Sequence, residues 1–191
     1  MNLPNKLTLA RILLIPVFVA CIVVPFGGNY FVAAAVFAIA SLTDFLDGYL
    51  ARKNNMVTDF GKFADPLADK ILTTTALIYL VAMQLCSPIV LIIVIAREFA
   101  VSGLRMVAAG SGEGTVIAAN IFGKIKTALQ MVSVIAIFIM IGCVYQSWAP
   151  ANMAVITFIS SHVLMWLVGL VTLLSGAIYL WQNRSFINTA K

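Results

Sequence analysis

The sequence predicts an all-α integral membrane protein of six transmembrane helices, on three grounds: its composition, its long charge-free stretches and the distribution of its basic residues. Of the 191 residues, 62% are hydrophobic and only 10% are charged, and the mean hydropathy is +1.05. A soluble domain usually carries about 25% charged residues. We therefore expect a single transmembrane domain that covers residues 1–191.

Three long stretches carry no charged residue: 12–43, 71–96 and 127–183. A transmembrane helix needs about 20 apolar residues. The first stretch, extended by its flanks, is long enough for two helices, and the last stretch also holds two. The middle stretch holds one helix and the first half of another. The first segment is too long and lacks the cleavage site of a signal peptide, so it is expected to be retained. The predicted helices cover residues 5–25, 31–53, 59–84, 88–109, 116–142 and 152–182.

The basic residues predict how these helices are oriented. All twelve Lys and Arg lie near the termini, near the second-to-third and fourth-to-fifth connections, or at the adjoining helix ends, with Arg97 the deepest. The other turns, at residues 25–30, 85–88 and 143–151, carry no charge. By the positive-inside rule, both termini are expected to face the cytoplasm. The net charge of +5 is thus explained by membrane orientation, and no nucleic-acid partner is expected.

The cysteines and the single histidine are interpreted as packing residues. Cys21, Cys86 and Cys143 lie in or beside apolar runs, without a CxxC or Cys/His spacing. His162 has no titratable residue near it in sequence. None of the four is expected to bind a metal or to act in catalysis.

Four of the seven acidic residues belong to one motif that joins the second and third helices. At helical spacing, Asp44 and Asp47 share one face, and Asp65 and Asp69 share another. Clustered carboxylates repel unless cations or protons neutralise them, and oxygen ligands without His or Cys favour Mg²⁺ or Mn²⁺. The motif reads Asp44-Phe-Leu-Asp47-Gly48-Tyr-Leu-Ala51-Arg52, eight further residues, and Gly61-Lys-Phe-Ala-Asp65-Pro-Leu-Ala-Asp69.

A polar chamber that opens to the cytoplasm would accommodate these charges. Gly48 and Ala51 share the face of the first two aspartates and leave backbone exposed there, although a small-residue helix contact is the alternative interpretation. Arg97 follows the apolar run 88–96, roughly 14 Å of helical rise, where an unpaired charge is costly. We therefore expect the chamber to reach half-way into the bilayer, with the acidic motif supplying the charge opposite to Arg97.

The motif resembles the complete signature of the CDP-alcohol phosphotransferases, with no departure at any fixed position. The signature occupies residues 44–69, and the six-helix layout extends the resemblance over nearly the whole chain. The resemblance implies the fold of that family and transfer of a phosphatidyl group from CDP-diacylglycerol to an alcohol, with release of CMP. It also implies two divalent cations, Mg²⁺ or Mn²⁺, as cofactors, and a homodimer. The active site is expected to face the cytoplasm from the cell membrane, where the protein contacts membrane lipid.

The same resemblance implies roles for individual residues. Asp69 is expected to be the general base that takes the proton of the acceptor hydroxyl. The implied metal ligands are Asp44, Asp47, Asp65 and Asp69. The implied CDP-diacylglycerol site comprises Asn5, Thr8, Asp47, Gly48, Ala51, Arg52 and Gly61. For Asn5 and Thr8, together with Arg11, a helix N-cap and an interfacial cation are alternative interpretations.

The remaining cations predict the acceptor. Arg97 and Arg105 lie about 12 Å apart along the fourth helix and roughly on one side, while Lys124 and Lys126 begin the fifth. Their convergence indicates an acceptor with its own phosphate, although inside-positive anchoring explains Lys126 comfortably. The stretches 97–105 and 123–127 resemble family members whose acceptor is sn-glycerol 3-phosphate.

By that resemblance, Arg97, Arg105 and Lys124 bind the acceptor phosphate, and Glu98 pairs with or orients Arg97. The role of Lys70, next to the motif, stays open. Family members that use inositol phosphate or phosphatidylglycerol share the chemistry and are the nearest alternatives. A divalent-cation transporter is more remote, because the non-cytoplasmic halves of the predicted helices carry no charged residue.

Overall fold

The computed structural model describes the backbone of residues 3–53, 59–110, 121–146 and 149–184, and the side chains of 8–43, 67–108, 121–146 and 149–184. These parts form six α-helices and contain no strand. All six predicted helices are found, and each described end lies within two residues of the prediction. Residues 116–120, predicted to begin the fifth helix, lie outside the described residues. The helices are α1 Leu3–Val23, α2 Asn29–Lys53, α3 Asp59–Ala82, α4 Pro88–Gly110, α5 Ile121–Val144 and α6 Met153–Gln182.

Turn residues set the helix ends on one side of the bundle. Gly28 precedes α2 with a φ of +79°, a conformation that side chains disfavour. After α3, Gln84 takes a φ of 59°. The amide of Cys86 then donates to the carbonyl of Leu80 at 3.2 Å, which caps the helix end. Pro88 begins α4, where its missing N–H is not needed.

The six helices pack side by side in a ring, in the order α1, α2, α5, α6, α4, α3, and α3 returns to α1. Two matched contacts show that α4 and α6 run parallel. A side chain at Gly169 would meet Val90 at 3.5 Å, and one at Gly176 would meet Arg97 at 2.9 Å. On each helix the second contact comes seven residues, or two turns, after the first.

Apolar side chains from all six helices fill the centre of the ring. The ring centroid of Phe18 lies 5.6 Å from that of Phe37 and 5.4 Å from that of Phe138, the latter edge-on. All three rings are completely buried. Such aromatic contacts add to the hydrophobic stabilisation of α1 against α2 and α5. The other three helices contribute Leu77, Val90 and Met165.

Helix α6 is more apolar on its exposed side than on its buried side. Val163 and Leu174 are each 63% exposed, whereas Ser161, Thr172 and Ser175 are buried. Small and polar residues are usual between helices in a membrane, where the lipid is as apolar as leucine. In the described parts of the chain, α5 and α6 are long and apolar enough to cross a membrane.

The cysteines are free thiols, as predicted, and Cys21 and Cys86 are buried. Burial raises the pKa of the Cys86 thiol, in the turn after α3, to about 11, so almost none of it is thiolate at neutral pH. His162 makes a local contact on α6: its Nδ1 is 3.0 Å from the carbonyl oxygen of Phe158, and the two rings lie 4.4 Å apart.

The aromatic contact predicts a large stability difference between two adjacent residues of α5. Phe138 is completely buried, whereas Ile139 is 43% exposed. We expect Phe138→Ala to lower the free energy of unfolding by about 3–5 kcal/mol, because it leaves a cavity among α1, α2 and α5. Thermal unfolding in detergent would measure this, with Ile139→Ala as the matched control. Equal destabilisation by both variants would contradict the assigned core.

Candidate active site

The acidic motif lies on two helices that contact each other, α2 and α3. The backbone is helical through Lys53 and again from Asp59. Each pair of motif aspartates therefore lies one turn apart on a single helix, at residues 44 and 47 and at residues 65 and 69. The side chains of several predicted site residues lie outside the described residues: Asn5, Asp44, Asp47, Gly48, Ala51, Arg52, Gly61 and Asp65.

Asp69 is the motif aspartate whose side chain is described. It is partly buried and interacts electrostatically with Lys126 of α5. The adjacent Lys70 connects α3 to α4: its Nζ donates a hydrogen bond to Ser102 and lies 5.9 Å from the ring centroid of Phe99. The carboxylate predicted as general base is therefore near a cation supplied by another helix.

Arg97, Glu98 and Lys126 form a group that we call the charge cluster. Oε1 of Glu98 accepts hydrogen bonds from Nη1 of Arg97 at 3.0 Å and from Nζ of Lys126 at 2.8 Å. The Arg97 and Lys126 side chains are only 11% and 4% exposed. The predicted pairing of Arg97 with Glu98 is confirmed. Glu98 is thus a carboxylate that Arg97 contacts among the described residues. The acidic motif was also expected to supply opposite charge, but three of its four carboxylates lie outside the described residues.

Lys126, for which inside-positive anchoring was an adequate explanation from the sequence, is the lysine of α5 that lies inside the bundle. It is buried in the charge cluster, whereas Lys124, predicted as the phosphate ligand, is exposed. Residues two apart on a helix point in nearly opposite directions, so only one of these lysines can face the bundle. Gln130 and Ser133 follow Lys126 by four and seven residues and are also buried. This polar stripe at helical spacing is the sequence signal that favours Lys126.

Helix α6 supplies a hydrogen-bond partner to each arginine of α4. Nη2 of the partly buried Arg97 donates to the hydroxyl of Ser175 at 3.0 Å. Nε of the more exposed Arg105 donates to the hydroxyl of Tyr179 at 3.1 Å, and its guanidinium carbon lies 5.5 Å from the centre of that ring. Ser175 and Tyr179 are four residues apart and share one face of α6. Neither residue was predicted, since uncharged side chains in an apolar helix carry no signal of their partner.

The described part of the amino-terminal segment lies inside the bundle. Thr8 and Arg11 are completely buried, and Nε of Arg11 donates to the carbonyl of Ala40 at 3.3 Å. Ala40 precedes Asp44 by about one turn of α2. An interfacial anchor would keep its charged end at the surface, so the burial of Arg11 contradicts that interpretation. The donor-site role of Thr8 stays a prediction.

Comparison with known protein families gives a match over most of the chain. The family model for CDP-alcohol phosphatidyltransferase matches residues 1–174. The chain belongs to this family, which confirms the resemblance drawn from the motif.

Similar proteins carry the name CDP-diacylglycerol–glycerol-3-phosphate 3-phosphatidyltransferase. The protein from Bacillus subtilis is 42% identical over 99% of this chain and 98% of its own length. That from Rickettsia typhi is 35% identical over 97% and 98% of the two chains. The Haemophilus influenzae protein is 43% identical over 69% of this chain and 72% of its own.

The charge cluster predicts that Glu98 stabilises the fold by separating two buried cations. We expect Glu98→Gln to lower the free energy of unfolding by roughly 1–3 kcal/mol, because Arg97 and Lys126 lose their shared counter-charge. Unfolding in detergent would measure the change. The double variant Glu98→Gln/Lys126→Met should lose less stability than the sum of the single variants. Lys124→Met, at the exposed lysine, is the matched control, and additive losses in the double variant would contradict the assigned coupling.

Proposed function

We propose that the chain is a phosphatidylglycerophosphate synthase: it transfers the phosphatidyl group of CDP-diacylglycerol to sn-glycerol 3-phosphate and releases CMP. The name of the Bacillus subtilis relative, which is similar over nearly the whole chain, supports this activity. The structural observation that supports it best is the charge cluster beside Asp69. The buried Lys126 and the partly buried Arg97 share one carboxylate there, which leaves net positive charge for an acceptor that carries a phosphate.

In the proposed reaction, a hydroxyl oxygen of glycerol 3-phosphate attacks the β-phosphorus of CDP-diacylglycerol. The bond from that phosphorus to the CMP oxygen breaks as the new bond forms. Asp69 takes the proton of the hydroxyl as general base. Phosphoryl transfer depends mainly on position and charge neutralisation, and the partly buried Asp69, near Lys126, supports both.

Asp44, Asp47, Asp65 and Asp69 are proposed to hold two divalent cations, Mg²⁺ or Mn²⁺. The helical backbone places each pair one turn apart, and α2 and α3 contact each other. Four carboxylates without an accompanying His or Cys suit such hard cations. When bound, these ions would neutralise charge on the transferring phosphoryl group and its leaving oxygen.

The donor is proposed to lie along the same two helices. Gly48, Ala51 and Gly61 would let the cytidine and ribose approach the backbone, and Arg52 would bind the pyrophosphate. Asp47 is assigned to the donor as well as to the metals. Asn5 and Thr8 are proposed to complete this site, and the complete burial of Thr8 supports a position inside the bundle.

The acceptor phosphate is proposed to bind Arg97 and Arg105, with Lys126 as the buried lysine of the site. Nε of Arg97 is buried and has no hydrogen-bond partner among the described residues. An unpaired buried donor costs about 1–3 kcal/mol, and a phosphate oxygen would satisfy it. Lys124 stays a proposed ligand, which from its exposed position would contact the phosphate as it enters.

We further propose that the chain is one domain with six membrane spans, both termini and the active site on the cytoplasmic side of the cell membrane. The distribution of the basic residues supports this orientation. The apolar exposed side of α6 supports contact with lipid. A homodimer is proposed from the family resemblance.

The proposed activity predicts which acceptor drives CMP release. We expect purified protein with Mg²⁺ or Mn²⁺ and CDP-diacylglycerol to release CMP when glycerol 3-phosphate is added, because the buried cations match its phosphate. Inositol phosphate and phosphatidylglycerol should give less release, because the similar Bacillus subtilis protein is named for glycerol 3-phosphate. Chelation of the metal is the control. Release driven by another acceptor would contradict the assignment, and metal flux into proteoliposomes without CDP-lipid would favour a transporter.

The role of Asp69 predicts a loss of turnover without loss of the donor. We expect Asp69→Asn to lower kcat at least about a hundredfold, because the amide cannot accept the hydroxyl proton. CMP release would measure turnover, and binding of CDP-diacylglycerol should stay measurable. Asp59→Asn, at an acidic residue of α3 outside the motif, is the matched control. Near-normal turnover in Asp69→Asn would exclude the assigned general base.

A further inference from the structure

Three residues near the carboxyl end of α6 contact the arginines of the proposed acceptor site: two of them contact Arg97, and the third contacts Arg105. Ser175 and Tyr179 accept the hydrogen bonds of Arg97 and Arg105 described above. Between them, Gly176 lies directly under the Arg97 side chain. A Cβ atom at this glycine would be 2.9 Å from Cγ of Arg97, which is closer than van der Waals contact allows. The aliphatic part of Arg97 therefore rests on the backbone of α6.

The guanidinium of Arg97 is confined from the opposite side as well. A Cβ atom at Gly123 of α5 would lie 3.2 Å from Nη2 of Arg97. Nη1 is held by Glu98 and Nη2 by Ser175, and Nε is a buried donor without a hydrogen-bond partner among the described residues. Two glycines and two hydrogen bonds thus fix the path of this side chain and the orientation of its guanidinium.

Tyr179, the partner of Arg105, is also held in place by its surroundings. It is 2% exposed and packs with Val101 and Leu104 of α4 in a small apolar cluster. Its carbonyl accepts a hydrogen bond from the side chain of Asn183 at 2.8 Å. Its hydroxyl therefore meets Arg105 from a fixed position.

The spacing along the two helices brings the arginines together. Arg97 and Arg105 are separated by about 12 Å of rise on α4, whereas their partners Ser175 and Tyr179 are separated by only about 6 Å on α6. Both arginines of α4 therefore reach one short segment of α6, which can fix the orientation of two cations that bind the same phosphate.

We propose that Ser175, Gly176 and Tyr179 are positioning residues that set the specificity for the phosphate of the acceptor. This inference rests on the proposed function. The three residues act through Arg97 and Arg105 and need no contact with substrate. Packing of α4 against α6 does not by itself require a contact as close as that between Gly176 and Arg97. At Gly169, two turns earlier on α6, an added Cβ atom would make only ordinary contact with Val90, at 3.5 Å.

The test compares Gly176→Ala and Tyr179→Phe with the control Gly169→Ala in the full-length protein. Arg97 must shift to admit the new methyl group, and the phenylalanine removes the acceptor for Arg105. We expect the KM for glycerol 3-phosphate to rise about five- to twentyfold in both variants, the effect of one lost charge-assisted hydrogen bond. The KM for CDP-diacylglycerol and the unfolding temperature in detergent should match the wild type. In Gly169→Ala both KM values should be unchanged.

Two further variants separate positioning from a general loss of packing. Ser175→Thr keeps the hydroxyl and should retain the KM for glycerol 3-phosphate better than Ser175→Ala. Tyr179→Phe should have no further effect on this KM when combined with Arg105→Ala, because the arginine through which it acts is absent.

The outcomes distinguish this inference from the proposed function. If the wild type releases CMP with glycerol 3-phosphate while Gly176→Ala and Tyr179→Phe keep its KM, the positioning role alone is overturned. If both KM values and the unfolding temperature change together, the residues serve packing only, and the positioning role is again overturned. If the wild type shows no release that depends on glycerol 3-phosphate, the proposed function and this inference are overturned together.

Discussion

The contact on which the site depends is one carboxylate oxygen held between two cations inside a helix bundle. Oε1 of Glu98 lies 3.0 Å from Nη1 of Arg97 and 2.8 Å from Nζ of Lys126. Neither cation could be buried alone, because an unpaired charge in an apolar interior costs several kcal/mol. One acid for two bases permits burial and still leaves net positive charge.

The ring of helices explains how this cluster is built. Glu98 and Arg97 come from α4, Lys126 from α5, and Ser175 from α6, and these three helices are consecutive in the ring. On α4 the charges lie between two apolar clusters, one that includes Val94 and one that includes Val101. Rigid apolar layers above and below a polar layer restrict the side chains within it.

The sequence predicted the fold well and the site only in part, for a physical reason. Long charge-free stretches and uncharged turns define helices by length alone, so all six were found. The pairing of Arg97 with Glu98 was found because the two are neighbours in sequence. The choice between Lys124 and Lys126 depends on which side of α5 faces the bundle, and the partners Ser175 and Tyr179 depend on the register of α4 against α6. Such register is a property of packing between distant segments, which a single sequence does not record.

The bundle divides the proposed chemistry between two sets of helices of opposite charge. The aspartates belong to α2 and α3, which contact each other, and the described cations of the acceptor site belong to α4 and α5. In the proposed transfer of a phosphatidyl group, both substrates are anions, so the site must attract each of them with positive charge. It must also hold a base that takes the proton of the reacting hydroxyl. A base among cations alone would lose basicity, and an acceptor among carboxylates alone would be repelled. Asp69, near Lys126, lies where the two sets meet, which is the position that the proposed base requires if the acceptor carries a phosphate.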